Sequence, residues 1–144
     1  KEPYATQIRD IIKELNLQHR IHFFKNVTEE EKYALIQNCQ GMCHPSIAEG
    51  FGIPPIEAMA FGKPVFLSQY TSLPEIGGEI AFYFSNLDPK QMAKEYQEGM
   101  NKFNLSIIEY QEKLKNRAYE FNYLKTAQNY LNLYKYIFEQ KSSN

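Results

Sequence analysis

Cysteine is scarce in this 144-residue sequence: Cys39 and Cys43 are too few for a disulfide framework, and no His/Cys spacing resembles a zinc site. Charge of one sign is lacking as well. Lys and Arg number 16 against 17 Asp and Glu, a formal net charge of -1, so the basic excess of a generic grip on nucleic acid is absent. No apolar run approaches the roughly 20 residues of a membrane span, and the opening Lys1-Glu2-Pro3 has no signal-peptide pattern. Nor is there an internal repeat, a low-complexity tract or a linker before the polar 141–144 end. The expected setting is a reducing cytoplasm. What is present is ordinary globular composition, 43% hydrophobic and 23% charged, which excludes a disordered tail. The length suggests one domain.

Apolar periodicity organises the chain. Ile8, Ile11, Ile12 and Leu15 fall at i, i+3, i+4 and i+7, predicting a helix from about Pro3 to Asn16. Four short β-prone runs follow: Ile21–Phe24, Gly41–His44 stopped by Pro45, Pro64–Leu67, and Ala81–Phe84. Helix starts separate them. Thr28 and Glu31 make a capping box for a helix ending near Asn38, and Ser72 and Glu75 repeat the spacing. Pro54–Phe61 reads as a short helix, with prolines tolerated in its first turn and Gly62 suited to a left-handed C-cap. Asp88-Pro89 and Ser106-x-x-Glu109 open the later helices. In the last one Tyr123, Ala127, Tyr130, Tyr134 and Phe138 form a stripe at helical spacing, read as a core face. Short strands alternating with helix-length segments imply right-handed βαβ crossovers, hence an α/β Rossmann-like parallel sheet. Ligands in such sheets sit at the carboxyl ends of strands, which singles out the loop between His44 and Pro54.

Gly50 and Gly52 bring bare backbone close to whatever occupies that crevice. Free amides at the helix entrance, with the helix dipole, favour an anion there. Pro54 and Pro55 donate nothing, so the amides of Gly50 through Ile53, or that of Ile56, would hold it. Glu49 and Glu57 would repel a phosphate placed beside them and are better suited to accept from neutral hydroxyls, at roughly 1.5–3 kcal/mol each. A ligand with phosphate in the middle and polyhydroxylated rings at both ends meets each demand. A nucleotide-sugar has that layout.

The segment His44-Pro45-Ser46-x-x-Glu49-Gly50-Phe51-Gly52-Ile53-Pro54-Pro55-Ile56-Glu57-Ala58-Met59-Ala60-x-Gly62-x-Pro64-Val65 resembles the hallmark of retaining GT-B glycosyltransferases of family 4, glycosyl transferases group 1. Glu49 and Glu57 match that family's E-x7-E pair. Ser72-Leu73-Pro74-Glu75-Ile76-x-Gly78 and Ala81-x-Tyr83-Phe84 also fit, and Phe121-x-Tyr123-x-x-Thr126-Ala127 resembles its last-helix pattern with Tyr in place of Trp. The resemblance runs from Ile21 to Tyr134.

It implies a two-domain enzyme, a hexosyltransferase of the retaining type, of which residues 1–144 are one truncated C-terminal, nucleotide-sugar-binding domain with C-terminal helices at about 106–139. By position, Glu57 would bind the ribose hydroxyls and Glu49 a hydroxyl of the transferred sugar, which gives Glu49 the catalytic label in a loose sense. Gly50, Phe51, Gly52 and Ile53 complete the donor-binding set, the amides of the last three touching sugar and phosphate. Phe24-Lys25-Asn26 corresponds to a segment near the base. The implied donor is UDP- or GDP-linked, with no cofactor and no metal, and front-face attack in which the departing phosphate helps deprotonate the acceptor. Acceptor binding, and the Arg and Lys that meet the diphosphate, belong to the missing parts. So does any peripheral contact with the inner face of the membrane, in the setting of lipid-linked glycan or polysaccharide synthesis. The fragment alone is expected to be inactive. Such a sheet usually has about six strands against four candidates here, so open edges predict self-association. A second reading stays open: a non-catalytic nucleotide-binding or interaction module that kept the loop without the chemistry. A response-regulator scaffold would need Asp at the strand ends, and no run ends in one.

Overall fold

A computed structural model describes residues 2–142. The elements run α1 (Glu2–Glu14), α2 (Glu29–Asn38), β1 (Met42–His44), α3 (Ile53–Ala60), β2 (Val65–Leu67), α4 (Leu73–Gly77), β3 (Phe82–Tyr83), α5 (Pro89–Leu105), α6 (Ile107–Tyr119) and α7 (Tyr123–Ser142). Two compact units divide between Lys32 and Tyr33.

In the first unit Ile12 is the buried residue among those of α1 whose burial is described; Ile11 and Leu15 of the expected stripe are exposed. Asn16, at φ 54°, ends the helix, with the Leu17 amide donating back to the Ile12 carbonyl at 2.9 Å. Ile21–Phe24 is not a strand, contrary to its β-prone composition. A strand exists only through its ladder, and this run has no partner among the described residues, so Ile21, Phe23 and Phe24 stay exposed. Arg9 lies over the Phe23 ring, 5.7 Å from its centroid. The Thr28 capping box forms in full: the Thr28 amide donates to Glu31 Oε2 at 2.8 Å, and the Glu31 amide to Thr28 Oγ1 at 3.2 Å.

The second unit is built on a parallel sheet of order β1-β2-β3. Met42 pairs with Val65 and His44 with Leu67; Phe66 pairs with Phe82. Side chains alternate across β2, and all three are buried. On one face Phe66 stacks among Phe82, Tyr96 and Phe84, with Gly99 of α5 leaving room for the ring. On the other, Val65 and Leu67 join Met59, Leu73, Ile76 and Leu114 in a core drawn from α3, α4 and α6. Helices on both faces of a parallel sheet make this the α/β Rossmann-like class.

Local chemistry sets the helix ends. Gly62, at φ 69°, closes α3 as a Schellman motif, its amide on the Met59 carbonyl and that of Lys63 on Ala58. Asp88 Oδ1 accepts from the Lys90 and Gln91 amides to start α5. The other two capping-box spacings do not close. Ser72 gives its hydroxyl to the Glu49 carbonyl, and Glu109 pairs with Lys113 at 2.6 Å. Arg117 of α6 donates from Nε to the Ile76 carbonyl at 3.1 Å and from Nη2 to that of Glu75, which fixes α4 to α6.

Cys43, on the outer strand β1, is exposed, and partial burial still pushes its thiol pKa up. One burial expectation is corrected. The α7 stripe is no core face: Tyr123, Tyr130, Tyr134 and Phe138 are all exposed. Helical spacing identifies an apolar face but not whether anything covers it. No helix of the described residues is long and apolar enough to cross a membrane.

Gly77 ends α4 where a Cβ would lie 2.5 Å from Tyr83 Oη, 2.6 Å from Ala81 Cβ and 2.8 Å from Leu67 Cδ1. Three neighbours, on β2, on β3 and just before β3, cannot all yield. Gly77→Ala is therefore expected to destabilise the fold by about 1–3 kcal/mol, seen as a lower urea midpoint. An unchanged midpoint would mean that α4 slides away from β2 at no cost.

Candidate functional site

The strands end at His44, Leu67 and Tyr83, and the loops that follow them meet at one edge of the sheet. Loops 45–52 and 68–72 are sewn together. Buried Ser68 donates from Oγ to the Ser46 carbonyl. The Glu49 amide donates to Thr71 Oγ1 at 3.2 Å, and Ser72 Oγ donates to the Glu49 carbonyl at 3.3 Å. Thr71 itself sits at φ 53°, a left-handed conformation unusual for a β-branched residue. The backbone of Glu49 is thus held on both sides.

Its side chain is held too. Glu49 Oε2 lies 2.9 Å from His44 Nε2, and Oε1 accepts from the Gly50 amide at 3.2 Å. The contact with His44, chiefly, holds the Glu49 carboxyl below the usual carboxylate range, partly offset by desolvation. The charged form and its hydrogen bonds are therefore complete at neutral pH, and are lost only as pH falls through that lowered value.

Gly50 and Gly52 differ in what they do. A Cβ on Gly50 would meet nothing within 4 Å, so the space beside it is open. Gly52 is buried at φ 104°, and a Cβ there would press on Leu73 Cδ2 at 3.3 Å and Ile76 Cγ1 at 3.4 Å. Its lack of a side chain serves the turn and the packing against α4. Gly52→Ala is expected to cost about 1–3 kcal/mol through strain in the left-handed region, measured by urea denaturation; a neutral result would show that the turn can re-form with φ negative.

After Gly52 comes Ile53, then Pro54 and Pro55, which carry no amide hydrogen. The Gly52 and Ile53 amides have no protein acceptor among the described residues. Phe51 and Ile53 are exposed, the Phe51 ring edge-on to Phe121 with centroids 6.1 Å apart. Glu57 lies in the second turn of α3, not the first. It shares a face with Ile53 at i−4, away from buried Pro55, Ala58 and Met59, and is half-buried. The edge thus presents a fixed carboxylate, two unengaged amides, an open spot at Gly50 and a second carboxylate one helix turn inward.

A cleft of about 710 Å³ lies elsewhere, lined by Ile80, Phe82, Lys102, Tyr110, Lys113 and Arg117 among others. It shares no residue with 44–57. Of its cations Lys102, Lys113 and Arg117, the last two are paired with Glu109 and Glu120. No group of three or more His, Cys, Asp or Glu among the described residues converges as a metal site.

Residues 1–122 match the family model described as glycosyl transferases group 1. The chain belongs to that family. It is 30% identical to the O-antigen chain mannosyltransferase RfbU of Salmonella typhimurium, over 74% of this chain and 32% of that protein. It is 38% identical to the MMP alpha-(1->4)-mannosyltransferase of Mycolicibacterium hassiacum, over 47% of this chain and 16% of that one. The chain thus spans less than a third of these relatives. Sucrose-phosphate synthase from Thermosynechococcus elongatus superposes with a TM-score of 0.73 at 24% identity, over 96% of this chain and 35% of that chain. The fold is that of part of a GT-B glycosyltransferase.

Sequence spacing alone did not reveal the partners of Glu49. Thr71 and Ser72 lie 22 and 23 residues away and His44 five. The available signal was Ser68, Thr71 and Ser72 just past the end of β2, a polar cluster next to the strand that carries the first loop. The segment 24–26 belongs to the first unit, where Asn26 adopts φ 52°.

Proposed function

We propose that this chain is the donor-binding half of a retaining family 4 glycosyltransferase, which moves a sugar from a nucleotide-sugar to a glycan, lipid-linked or polysaccharide acceptor. The observation that carries the reading is the pair Glu49 and Glu57 at the carboxyl edge of a parallel sheet, with the unengaged Gly52 and Ile53 amides between them. An amide pair at a helix entrance suits the phosphate of the donor. Glu49 takes a hydroxyl of the sugar and Glu57 the ribose diol, each as an ionised acceptor. The relatives' names point to mannose as the sugar, so a GDP- or UDP-linked mannose is the first donor to test.

Transfer with retention, by front-face attack, asks the protein mainly to stabilise a departing diphosphate. This segment supplies amides and a dipole for that charge; cations come from the rest of the protein, which also holds the acceptor. The chain by itself therefore binds donor without turning it over. In the full-length protein the transferred sugar keeps its anomeric configuration.

Titrating the ¹⁵N-labelled chain with GDP-mannose, UDP-glucose and the free nucleotides tests this. Amide shifts centred on Phe51, Gly52 and Ile53 are expected with one of the nucleotide-sugars. Saturating donor without movement at these amides would refute the site, and an inverted product from the full-length protein would refute retention.

A further inference from the structure

The backbone of Glu49 is anchored by Thr71 and Ser72, yet a glutamate side chain has three further torsions, each free unless something holds the carboxylate. An ionised carboxylate offers about four lone-pair positions and only accepts. The Gly50 amide takes one on Oε1, and His44 takes another on Oε2 at 2.9 Å. The Gly50 amide alone would keep Oε1 near the loop while Oε2 swung; the contact from His44 stops that swing. His44 is well placed for it. It is the last residue of β1, in register with Leu67, and Pro45 ends the strand directly after it. The loop then folds back through Ser46, whose carbonyl is held by Ser68 and whose hydroxyl donates to the Ala48 carbonyl at 3.0 Å. Because the carboxylate can only accept, the hydrogen must sit on His44 Nε2.

Building on the donor-binding reading above, we propose that His44 is a positioning residue: its Nε2–H locks the Glu49 carboxylate in one orientation, and Glu49 therefore meets the sugar hydroxyl already aimed. His44 does not touch the donor. Its effect reaches the sugar only through Glu49, and the nucleotide end of the ligand is indifferent to it.

The test is a double-mutant cycle in the full-length protein, with the nucleotide-sugar selected by the titration above, GDP-mannose first. His44→Ala is expected to lower kcat/KM roughly tenfold, the size of one charge-assisted hydrogen bond, and to leave the Kd of the free nucleotide unchanged. His44→Gln, whose amide N–H reaches the same carboxylate, restores most of the loss. In a Glu49→Ala background His44→Ala costs nothing more. A purely structural histidine would instead weaken free nucleotide too and add its loss to that of Glu49→Ala; either result overturns the proposal. A ligand-free readout stands beside it. Imidazole ¹⁵N shifts of the neutral ring should show Nε2 protonated and Nδ1 bare in the wild type, and a mixture of tautomers in Glu49→Ala. A wild-type Nδ1–H tautomer would overturn it as well. If Glu49→Ala leaves donor use intact, the donor reading itself falls and takes this inference with it. If Glu49→Ala impairs donor use but His44→Ala does not, the inference falls alone.

Discussion

Phe66→Ala is expected to remove about 3–5 kcal/mol of folding stability, the usual range for deleting a buried ring. Phe66 is the middle residue of the central strand and only 1% exposed. Its ring lies 5.0 Å from that of Phe82 and 4.6 Å from that of Tyr96, centroid to centroid, so three elements meet on it. Gly99 completes the fit: a Cβ there would stand 2.5 Å from Phe66 Cε1, so α5 comes down onto the sheet with no side chain between. Alanine at 66 would leave a void that neither a strand fixed by its ladder nor a helix seated on glycine can fill. Against a typical total of about 5–15 kcal/mol, that is a large share. Urea unfolding of the chain followed by circular dichroism measures it, and Phe66→Leu should recover part of the loss. The damage would extend to the functional edge, because β2 leads directly to Ser68, Thr71 and Ser72, which hold loop 45–52. A loss below about 1 kcal/mol would show that α5 and β3 can close over the gap, contrary to ordinary core packing.

How much of this was readable beforehand depends on the reach of each interaction. Thr28, Gly62 and Asp88 act within three or four residues, and each forms the helix end that its type predicts. The runs ending at His44, Leu67 and Phe84 form strands because each finds a neighbour to pair with in one parallel sheet. Ile21–Phe24 has the same composition, but a ladder needs a neighbour, and composition cannot supply one. Ser72 and Ser106 show the reverse failure: their spacing to a glutamate suits a cap, yet a distant carbonyl claims Ser72 and a local lysine claims Glu109. The α7 stripe is regular in sequence and exposed in space, since periodicity reports amphipathicity and not cover. At the site, segment 49–57 stood out through its glycines, prolines and paired acids. The tether of Glu49 to Thr71 and Ser72 crosses more than twenty residues and exists only after β1 and β2 have paired.

Glu49→Ala and Glu57→Ala in the full-length protein are expected to separate the two ends of the donor. Each removes an ionised acceptor, and a hydrogen bond to a charged group contributes about 1.5–3 kcal/mol, or roughly 10- to 150-fold in affinity. Their settings assign the losses differently. Glu49 sits in the loop ahead of α3, with its carboxylate fixed by His44 and the Gly50 amide, next to the open space at Gly50. Glu57 lies a turn further along α3, on the face it shares with Ile53. A donor whose phosphate meets the Gly52 and Ile53 amides has its sugar on one side of them and its nucleoside on the other. Glu57→Ala should therefore weaken the free nucleotide and the nucleotide-sugar by the same factor, because the nucleoside is common to both. Glu49→Ala should leave the free nucleotide unaffected and lower kcat/KM for the nucleotide-sugar, and restoring the acceptor with Glu49→Asp should not recover it, because the shorter chain draws the carboxylate away from His44. Calorimetry with nucleotide and nucleotide-sugar, paired with transfer kinetics, gives all four quantities. Equal losses on both ligands from both substitutions would mean that the two acids act on one end of the donor, and the phosphate would then have to lie outside the Gly52–Ile53 amide pair.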